Sequence, residues 1–313
     1  MDTKYQKTES RPYRARGRGG FRGSRASSDR GRHYGKEAAA DPISRVPDTP
    51  TMAMFREIAV MLDEKNDLYE VLVKHSRDTT IESKRIIFLL IRCAGHPHES
   101  LEVYQLLQEA RERFQQLRNS SLKTIARSLV SQDVNIFNRA YSPGLQEYIE
   151  ALTLFHYLDK AILIDHAVVQ ESLTFTEPME FNQHIDVPTD GLTLENATVS
   201  VPLTPQDFLL GIGDLTGELM RYSVTHASNP AMQDSVFKLC EFSQAILLHC
   251  QNIPFSACRD FGMNKLKVMF QSVIKIERIC YQLALRREEN LPALPAGFME
   301  LDYPEDTQHI EAY

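Results

Sequence analysis

Residues 204–221 read TPQDFLLGIGDLTGELMR, and their spacing predicts the fold of the chain more clearly than any other stretch. Apolar residues recur there every three or four positions, as they do on one face of an α-helix. They are Phe208, Ile212, Leu215, Leu219 and Tyr222. Asp214 and Glu218 gather along another side. The stretch is therefore predicted to be an amphipathic helix that packs by one face and carries carboxylates on another.

The same periodicity covers most of the chain from residue 51 onward. Helical stretches are predicted at 51–76, 80–93, 99–130, 143–158, 161–169, 205–225, 231–250 and 258–287. Pro143 is placed in the first turn of its helix, where proline is favoured. The pattern allows only one short strand, near residues 198–203. The expected fold class is all-α, a bundle of about seven helices.

Composition divides the chain into three parts. Residues 1–50 are predicted to be a disordered Arg/Gly-rich tail and linker, because they lack the apolar residues that a core requires. Residues 51–287 are predicted to form the helical domain, with a polar, proline-containing loop or insertion at 170–204. Residues 288–313 are predicted to be an acidic C-terminal tail.

Charge is distributed unevenly along the chain. Residues 1–36 hold eleven Lys/Arg and three Asp/Glu, whereas the remainder holds 24 basic and 39 acidic residues. Such an acidic body is by itself a poor nucleic-acid binder. The Arg/Gly-rich segment contains Tyr13, Phe21 and Tyr34, a composition typical of loose RNA contact through phosphates and stacking. A solubilising or nuclear-import tail is the alternative.

Several classes of protein are disfavoured by the composition of the 313 residues. No apolar run approaches the roughly 20 residues needed to span a bilayer, and the polar N-terminus does not look like a signal peptide. The five cysteines show no spacing typical of a zinc site. They are predicted to be reduced core thiols of an intracellular protein.

A second acidic motif is GLQEYIE at residues 144–150, which places Glu147 and Glu150 three positions apart. Side chains at this spacing lie about 5–6 Å from each other on a helix, so like charges repel. At 4 Å and an effective dielectric near 20, one such repulsion costs about 4 kcal/mol. The surrounding helix is apolar nearly all round and is predicted to be buried, so the pair needs protonation or a cation.

Asp214 and Glu218 form a comparable pair on the helix first described, although an ordinary solvated face is the alternative there. Gly211, Gly213 and Gly217 on this helix each cost about 1 kcal/mol relative to Ala, which predicts that something approaches its backbone closely. If the two acidic helices pack together, four carboxylates converge. Hard oxygen ligands of this kind favour Mg²⁺ or Mn²⁺.

Other metal sites fit the sequence less well. A di-iron site requires Glu-x-x-His, which is absent at Glu147 and Glu150, and no DDxxD motif of the prenyl-synthase type occurs. Lys84, Arg85 and Arg221 are candidates for phosphate contact, with a solvated helix face as the alternative.

Four segments closely resemble the translin family, in its translin-associated factor X branch. They are residues 74–90 (KHSRDTTIESKRIIFLL), residues 144–152 (GLQEYIEAL), residues 204–221 as quoted above, and residues 265–281 (KLKVMFQSVIKIERICY). The likeness runs from about residue 54 to residue 285. Translin itself shares the fold but lacks the Glu-x-x-Glu carboxylates, so the factor X branch is the better match.

The resemblance implies a seven-helix bundle that assembles with translin into a hollow hetero-octamer. It implies an Mg²⁺-dependent endoribonuclease, with Mn²⁺ as an alternative ion, that cleaves single-stranded RNA and the passenger strand of siRNA duplexes during RISC activation. The catalytic residues of the family fall on Glu147, Glu150 and Asp214, and its metal ligands on Glu150 and Glu218. Single-stranded DNA is a further expected ligand. The expected location is the cytoplasm and the nucleus, without membrane association.

Two other functions are compatible with the residues. The first is a non-catalytic scaffold subunit that binds single-stranded RNA or DNA together with translin. The second is a cytoskeletal or vesicle adaptor, which would have no use for the paired carboxylates.

Overall fold

The computed structural model describes residues 49–177, 197–254, 258, 261–289 and 291. The chain divides into two units, Met1–Met54 and Phe55–Tyr313, and the described elements belong to the second apart from the start of one helix. The described residues form eight α-helices and one pair of strands. The prediction of an all-α fold with about seven helices is confirmed. The predicted tails lie almost entirely outside the described residues.

The helices follow one another along the chain, with the pair of strands between the fifth and the sixth. They are α1 (Pro50–Ile91), α2 (Leu101–Leu117), α3 (Lys123–Ser128), α4 (Val134–Lys160), α5 (His166–Ser172), α6 (Pro205–Ala227), α7 (Gln233–Gln251) and α8 (Leu266–Glu288). Short tighter or wider helical turns occur at Arg92–Gly95, Arg118–Leu122, Pro230–Met232 and Phe261–Lys265. The strands are β1 (Thr174–Glu177) and β2 (Ala197–Ser200). No described helix combines the length and hydropathy needed to cross a membrane.

Helix α1 is continuous where the sequence predicted two separate stretches. It runs for 42 residues and includes residues 77–79, which the prediction left between the two. Neither glycine nor proline occurs from residue 51 to residue 91, so nothing in the backbone ends the helix earlier.

The prediction that Pro143 lies in the first turn of a helix is wrong. Helix α4 already begins at Val134, where the side chain of Asp133 accepts a hydrogen bond from the Asn135 N–H at 3.0 Å. This cap starts the helix well before the proline, which consequently lies in its interior.

Contacts with α1 compensate for the proline inside α4. Pro143 lacks a backbone donor and disturbs the regular hydrogen bonding of a helix. Here the Gly144 N–H donates to Ser76 Oγ at 3.0 Å, and the Ser76 hydroxyl donates to the Tyr141 carbonyl at 3.3 Å. A Cβ atom on Gly144 would lie 2.4 Å from the Ser76 carbonyl oxygen, so only glycine allows this approach.

The segment predicted as a loop or insertion at 170–204 contains regular structure at both ends. The end of α5 leads into β1, which pairs antiparallel with β2 in the register Thr174↔Ser200. The short strand predicted near residues 198–203 is therefore present at Ala197–Ser200, whereas its partner β1 was not predicted. The side chains of Phe175 and Val201 are buried and attach this ladder to the core. Residues 178–196 lie outside the described residues.

Helix α4 lies in the core, as its apolar circumference predicts. Its side chains include some of the largest fully buried ones, Phe137, Tyr141 and Tyr148. Helix α4 packs against α6, and α6 packs in turn against α7 and α8. Carboxylates on the facing sides of α4 and α6 are therefore held inside the protein or at its edge.

Candidate acidic site between α4 and α6

Helix α4 holds its two carboxylates at different depths. Glu150 is buried, with 8% of the residue exposed, whereas the side chain of Glu147 keeps 25% exposure. Helix α6 repeats the arrangement, because Glu218 is 8% exposed and the side chain of Asp214 is 35% exposed. The alternative that this pair lies on an ordinary solvated helix face is therefore wrong for Glu218. We call Glu150 and Glu218 the inner pair, and Glu147 and Asp214 the outer pair.

The two helices approach closely at Gly211. A Cβ atom there would lie 2.7 Å from Ile149 and 3.0 Å from the Gln146 carbonyl oxygen, both on α4. Such distances are too short for ordinary packing, so the missing side chain sets how near α6 comes to α4. The prediction of a close backbone approach is confirmed at this glycine.

The other two glycines of α6 do not share that role. A Cβ atom on Gly213 would meet Phe261 and Lys265 at 3.5–3.6 Å, which is ordinary contact distance. At Gly217 nothing lies within 4 Å, so the prediction of a close approach is wrong there.

A buried carboxylate, Asp207, ties the start of α6 to α4. It is 2% exposed and accepts hydrogen bonds from Ser142 Oγ at 2.5 Å and Gln146 Nε2 at 2.9 Å. The Thr204 hydroxyl donates to its second oxygen at 2.7 Å and accepts from the Asp207 N–H at 3.0 Å. Because Ser142 and Gln146 belong to α4, this network fixes the register in which the acidic residues of the two helices meet.

The four carboxylates of the site act on one another electrostatically. Burial, as the largest cause, and the negative charges of Asp214, Glu147 and Glu218 together raise the pKa of Glu150 to about 8, against a smaller opposing effect of Lys265. Three of the four predicted site residues thus influence the fourth. Helices α4 and α6 therefore place the four residues within electrostatic reach of one another, whereas their roles as catalytic residues and metal ligands stay predictions.

Glu218 shares the environment of Glu150 but has a basic neighbour. Burial raises its pKa, and Arg221 opposes the shift through an ion pair at 2.9 Å. The charges of Glu147 and Asp214 act in the same direction as burial. The upward direction persists because Arg221 is itself 60% exposed and shares its charge with solvent.

Two lysines neutralise the outer pair. Lys84 Nζ lies 3.0 Å from Glu147 Oε1, and Lys265 Nζ forms an ion pair with Asp214 Oδ1. The hydrogen bond to Glu147 raises the pKa of Lys84, and the charges of Glu150 and Asp214 add to the effect. Among the described residues no Lys or Arg forms such a pair with Glu150.

The described side chains do not stand in a ready-made coordination sphere. No group of three or more Asp, Glu, His or Cys among them is placed to hold a metal ion. The donor set nevertheless suits a hard divalent cation, because it consists of carboxylate oxygens and Glu150 lacks a basic partner among the described residues. The Mg²⁺ or Mn²⁺ site on Glu150 and Glu218 stays a prediction.

The sequence interpretation missed two residues of the site. Lys265 was not singled out, since nothing local connects it with Asp214. Asp207 could have been found, because Thr204-Pro-Gln-Asp207 has the spacing of a helix cap in which the first and fourth residues bond reciprocally.

Fold and site together define a class of protein. It is an all-α protein in which two packed helices bring four coupled carboxylates to one place, two of them buried. The lysines that neutralise the other two come from α1 and from the turn before α8.

The chain belongs to the translin family, whose profile matches residues 67–287. It is 34% identical to Translin-associated protein X of Rattus norvegicus over 273 residues, which is 87% of this chain and 90% of the rat protein. The protein of that name from Mus musculus is 34% identical over 275 residues, again 87% of this chain and 90% of the relative. The crystal structure of apo-NeC3PO shares the fold, with a TM-score of 0.51, 19% identity, and coverage of 76% of this chain and 100% of that chain.

Proposed function

We propose that this chain is the catalytic subunit of a hetero-oligomer with translin, an Mg²⁺-dependent endoribonuclease that cleaves single-stranded RNA and the passenger strand of siRNA duplexes during RISC activation. The observation that carries the proposal is the cluster of four coupled carboxylates between α4 and α6, in which burial and like charge raise the pKa of Glu150 to about 8. A protein that needed only a stable helix pair would not keep this arrangement, because protonation or an added cation must relieve it.

The choice of translin as partner rests on the relatives. Two mammalian proteins named for their association with translin are 34% identical to this chain over most of its length. Charge supports a partner as well, since the chain outside residues 1–36 has an excess of acidic residues. RNA is held by positive surface, which a second subunit can supply.

Glu150 and Glu218 are the residues that would hold Mg²⁺, with Mn²⁺ as an alternative. They are the buried members of the cluster, and Glu150 pairs with none of the described Lys or Arg. A divalent ion, when bound, supplies positive charge against the scissile phosphate and makes water more acidic.

The outer pair performs the proton chemistry in this proposal. Glu147 and Asp214 are half-exposed, so water and RNA can reach them, and each can orient an attacking water and accept its proton. Lys84 forms an ion pair with Glu147, and Lys265 forms one with Asp214. The same two amines lie at the mouth of the site, where they can contact the phosphates of RNA.

Alanine substitution tests the proposal in the assembled complex. Co-expressed with translin, Glu150→Ala is expected to abolish cleavage of labelled single-stranded RNA and Asp214→Ala to slow it by about 10²–10⁴-fold, while assembly stays intact. Glu112→Gln, an exposed acid on α2 outside the cluster, is the matched control and should cleave normally. Cleavage by either alanine variant at the wild-type rate refutes the assignment.

A non-catalytic scaffold that binds single-stranded RNA or DNA with translin is the second candidate. It is favoured by the lysines that already neutralise Glu147 and Asp214, and by the lack of a preformed metal cluster among the described side chains. EDTA separates the two functions. Chelation should stop RNA cleavage if the complex is a nuclease. If it is a scaffold, its affinity for single-stranded RNA should be the same with and without EDTA.

Location in the cytoplasm and the nucleus completes the proposal. Residues 11–36 are the segment to delete in its test, because their arginines suit either RNA contact or import. Fluorescence imaging of the full chain and of the deletion, each co-expressed with translin, distinguishes these roles. Loss of nuclear signal with unchanged RNA binding indicates import.

A further inference from the structure

The first half of α1 carries an apolar stripe that no described part of the chain covers. Phe55 is 56% exposed, Ile58 36%, Leu62 60% and Tyr69 38%. Every residue from 53 to 67 is exposed, although α1 continues unbroken into the core. Contiguous exposed apolar residues of this kind mark interaction surfaces.

The stripe is the continuation of the face by which α1 packs on the rest of the domain. Residues 55, 58, 62, 65 and 69 alternate at spacings of three and four, and the same alternation continues without a break through the buried part of the helix. The buried members are Leu72, Ser76, Thr79, Ser83, Ile86 and Leu90. One seam therefore runs along α1, filled by this chain from Leu72 onward and open before it.

The width of the open seam indicates what kind of surface fits it. Met61 is 55% exposed and lies beside the seam together with Ala59 and the partly buried Leu68. Apolar residues thus cover about half of the helix circumference, which is wider than the stripe of a two-stranded coiled coil. A helix of this type can pack against two neighbouring helices at once, and the second half of α1 contacts both α2, through Glu82 and Arg113, and α4, through Ser76 and Gly144.

Charged side chains that flank the open seam select the partner. Between residues 55 and 70 the acidic side chains are Glu57, Asp63, Glu64, Asp67 and Glu70, and the basic ones are Arg56 and Lys65. At 100° per residue Glu57, Asp63 and Glu70 lie at the edges of the apolar surface, so the rim of the open seam is acidic. A second copy of this chain would oppose acid to acid, which disfavours association, whereas a rim of Lys and Arg complements it.

We propose that residues 55–69 of α1 dock into an apolar groove between two helices of a different subunit, whose groove is rimmed by Lys and Arg. The identity of that subunit as translin rests on the proposed function, whereas the docking surface rests on the open seam. Lys65, the one basic residue in the seam, fixes the register by meeting an acidic residue of the partner.

The test compares substitutions on the two sides of the same half of α1. Phe55→Glu combined with Leu62→Glu places two acids in the seam, and co-purification with translin is expected to fall at least tenfold. Val60→Glu is the matched control, since Val60 is 56% exposed but lies on the opposite side of the helix. It should assemble like the wild type, as measured by size-exclusion chromatography with light scattering.

Each outcome decides something definite. Assembly of the double variant at the wild-type level overturns the docking surface alone, and an equal loss with Val60→Glu shows a charge effect without the seam and overturns it as well. Failure of the wild-type chain to associate with translin overturns the surface together with the proposed partner. If the wild-type complex assembles through the seam but does not cleave RNA, only the proposed catalysis fails.

Self-association and intramolecular cover are tested in the same preparations. A photo-crosslinker attached to the thiol of Leu62→Cys in the complex is expected to capture translin. Capture of a second copy, or of a residue from 1–48 of the same chain, identifies a different occupant and overturns the proposal.

Discussion

The inner and outer carboxylates of the site face opposite electrostatic situations within one cluster. Glu147 and Asp214 are half-exposed and each pairs with a lysine, whereas Glu150 is buried and paired with none of the described Lys or Arg. Glu218 lies between these cases, because it is buried beside a mostly exposed Arg221. The difference teaches that the chain supplies its own cations at the rim but leaves a shortage of positive charge in the interior, where a bound cation would be most stabilising.

The largest expected effect comes from removing an inner carboxylate. In the complex with translin, Glu150→Gln should reduce cleavage of single-stranded RNA below detection, because the proposed ion loses a ligand that no neighbour replaces. Asp214→Asn in the outer pair should leave more residual rate, with a loss of about 10²–10⁴-fold typical of a missing general base. Single-turnover rates at saturating Mg²⁺ measure both. Equal losses would remove the distinction between the two pairs.

The next effect concerns stability as a function of pH in EDTA. Below about pH 4.5 Glu150 is protonated in both states, so its raised pKa has no destabilising effect. As pH rises from 4.5 to about 8, the unfolded chain releases the proton and the folded chain keeps it, so the free energy of unfolding falls, on the order of several kcal/mol, and levels off above the folded pKa.

Glu150→Gln should remove that fall, so its advantage over the wild type should grow between pH 4.5 and pH 8. Thermal unfolding of both proteins across this range measures the difference, at about 2–4 °C per kcal/mol for a domain of this size. Saturating Mg²⁺ at pH 8 should raise the melting temperature of the wild type only. A difference in melting temperature that stays constant with pH would show that the pKa of Glu150 is not raised in the folded protein.

Helix separation gives the third effect. Gly211→Ala places a methyl group 2.7 Å from Ile149, so α6 must move away from α4 at a cost of about 1–3 kcal/mol. Gly217→Ala is its control on the same helix, where open space allows a gain of up to about 1 kcal/mol from helix propensity. Urea unfolding of the two variants should therefore give changes of opposite sign.

The smallest effect is expected at the rim. Lys84→Met removes the partner of Glu147, yet the lysine side chain is 55% exposed, so the free energy of unfolding should change by less than about 1 kcal/mol. Denaturant titration at moderate salt measures it. A decrease in the free energy of unfolding above about 2 kcal/mol would show that the outer pair, like the inner pair, is strongly destabilised when its charge is uncompensated.

Much of the fold followed from local pattern. The stretch 205–225 was predicted as a helix and α6 spans Pro205–Ala227, because its apolar spacing agrees with the face that it buries. The predicted start of α4 was wrong. Pro143 is accommodated inside the helix by the contact between Gly144 and Ser76, and a local pattern cannot show a contact between residues so far apart in the chain. β1 was missed because a four-residue strand carries too little pattern to recognise.

The sequence predicted a cluster of carboxylates, but it did not predict which of them form the inner pair and which the outer pair. Spacing alone indicated that the acidic residues form pairs on two helices. It could not show that Asp207 joins those helices, or that Lys84 and Lys265 serve the outer pair.

The sequence by itself determined the helical periodicity, the acidic pairs and the membership of the translin family, because each depends on residue types at fixed spacings. Only the tertiary structure decided which carboxylates are buried, which are neutralised by lysine, and where the seam of α1 is left open. The physical reason is that desolvation and charge pairing depend on which helices meet and how closely, and that distance is set by contacts such as Gly211 on Ile149.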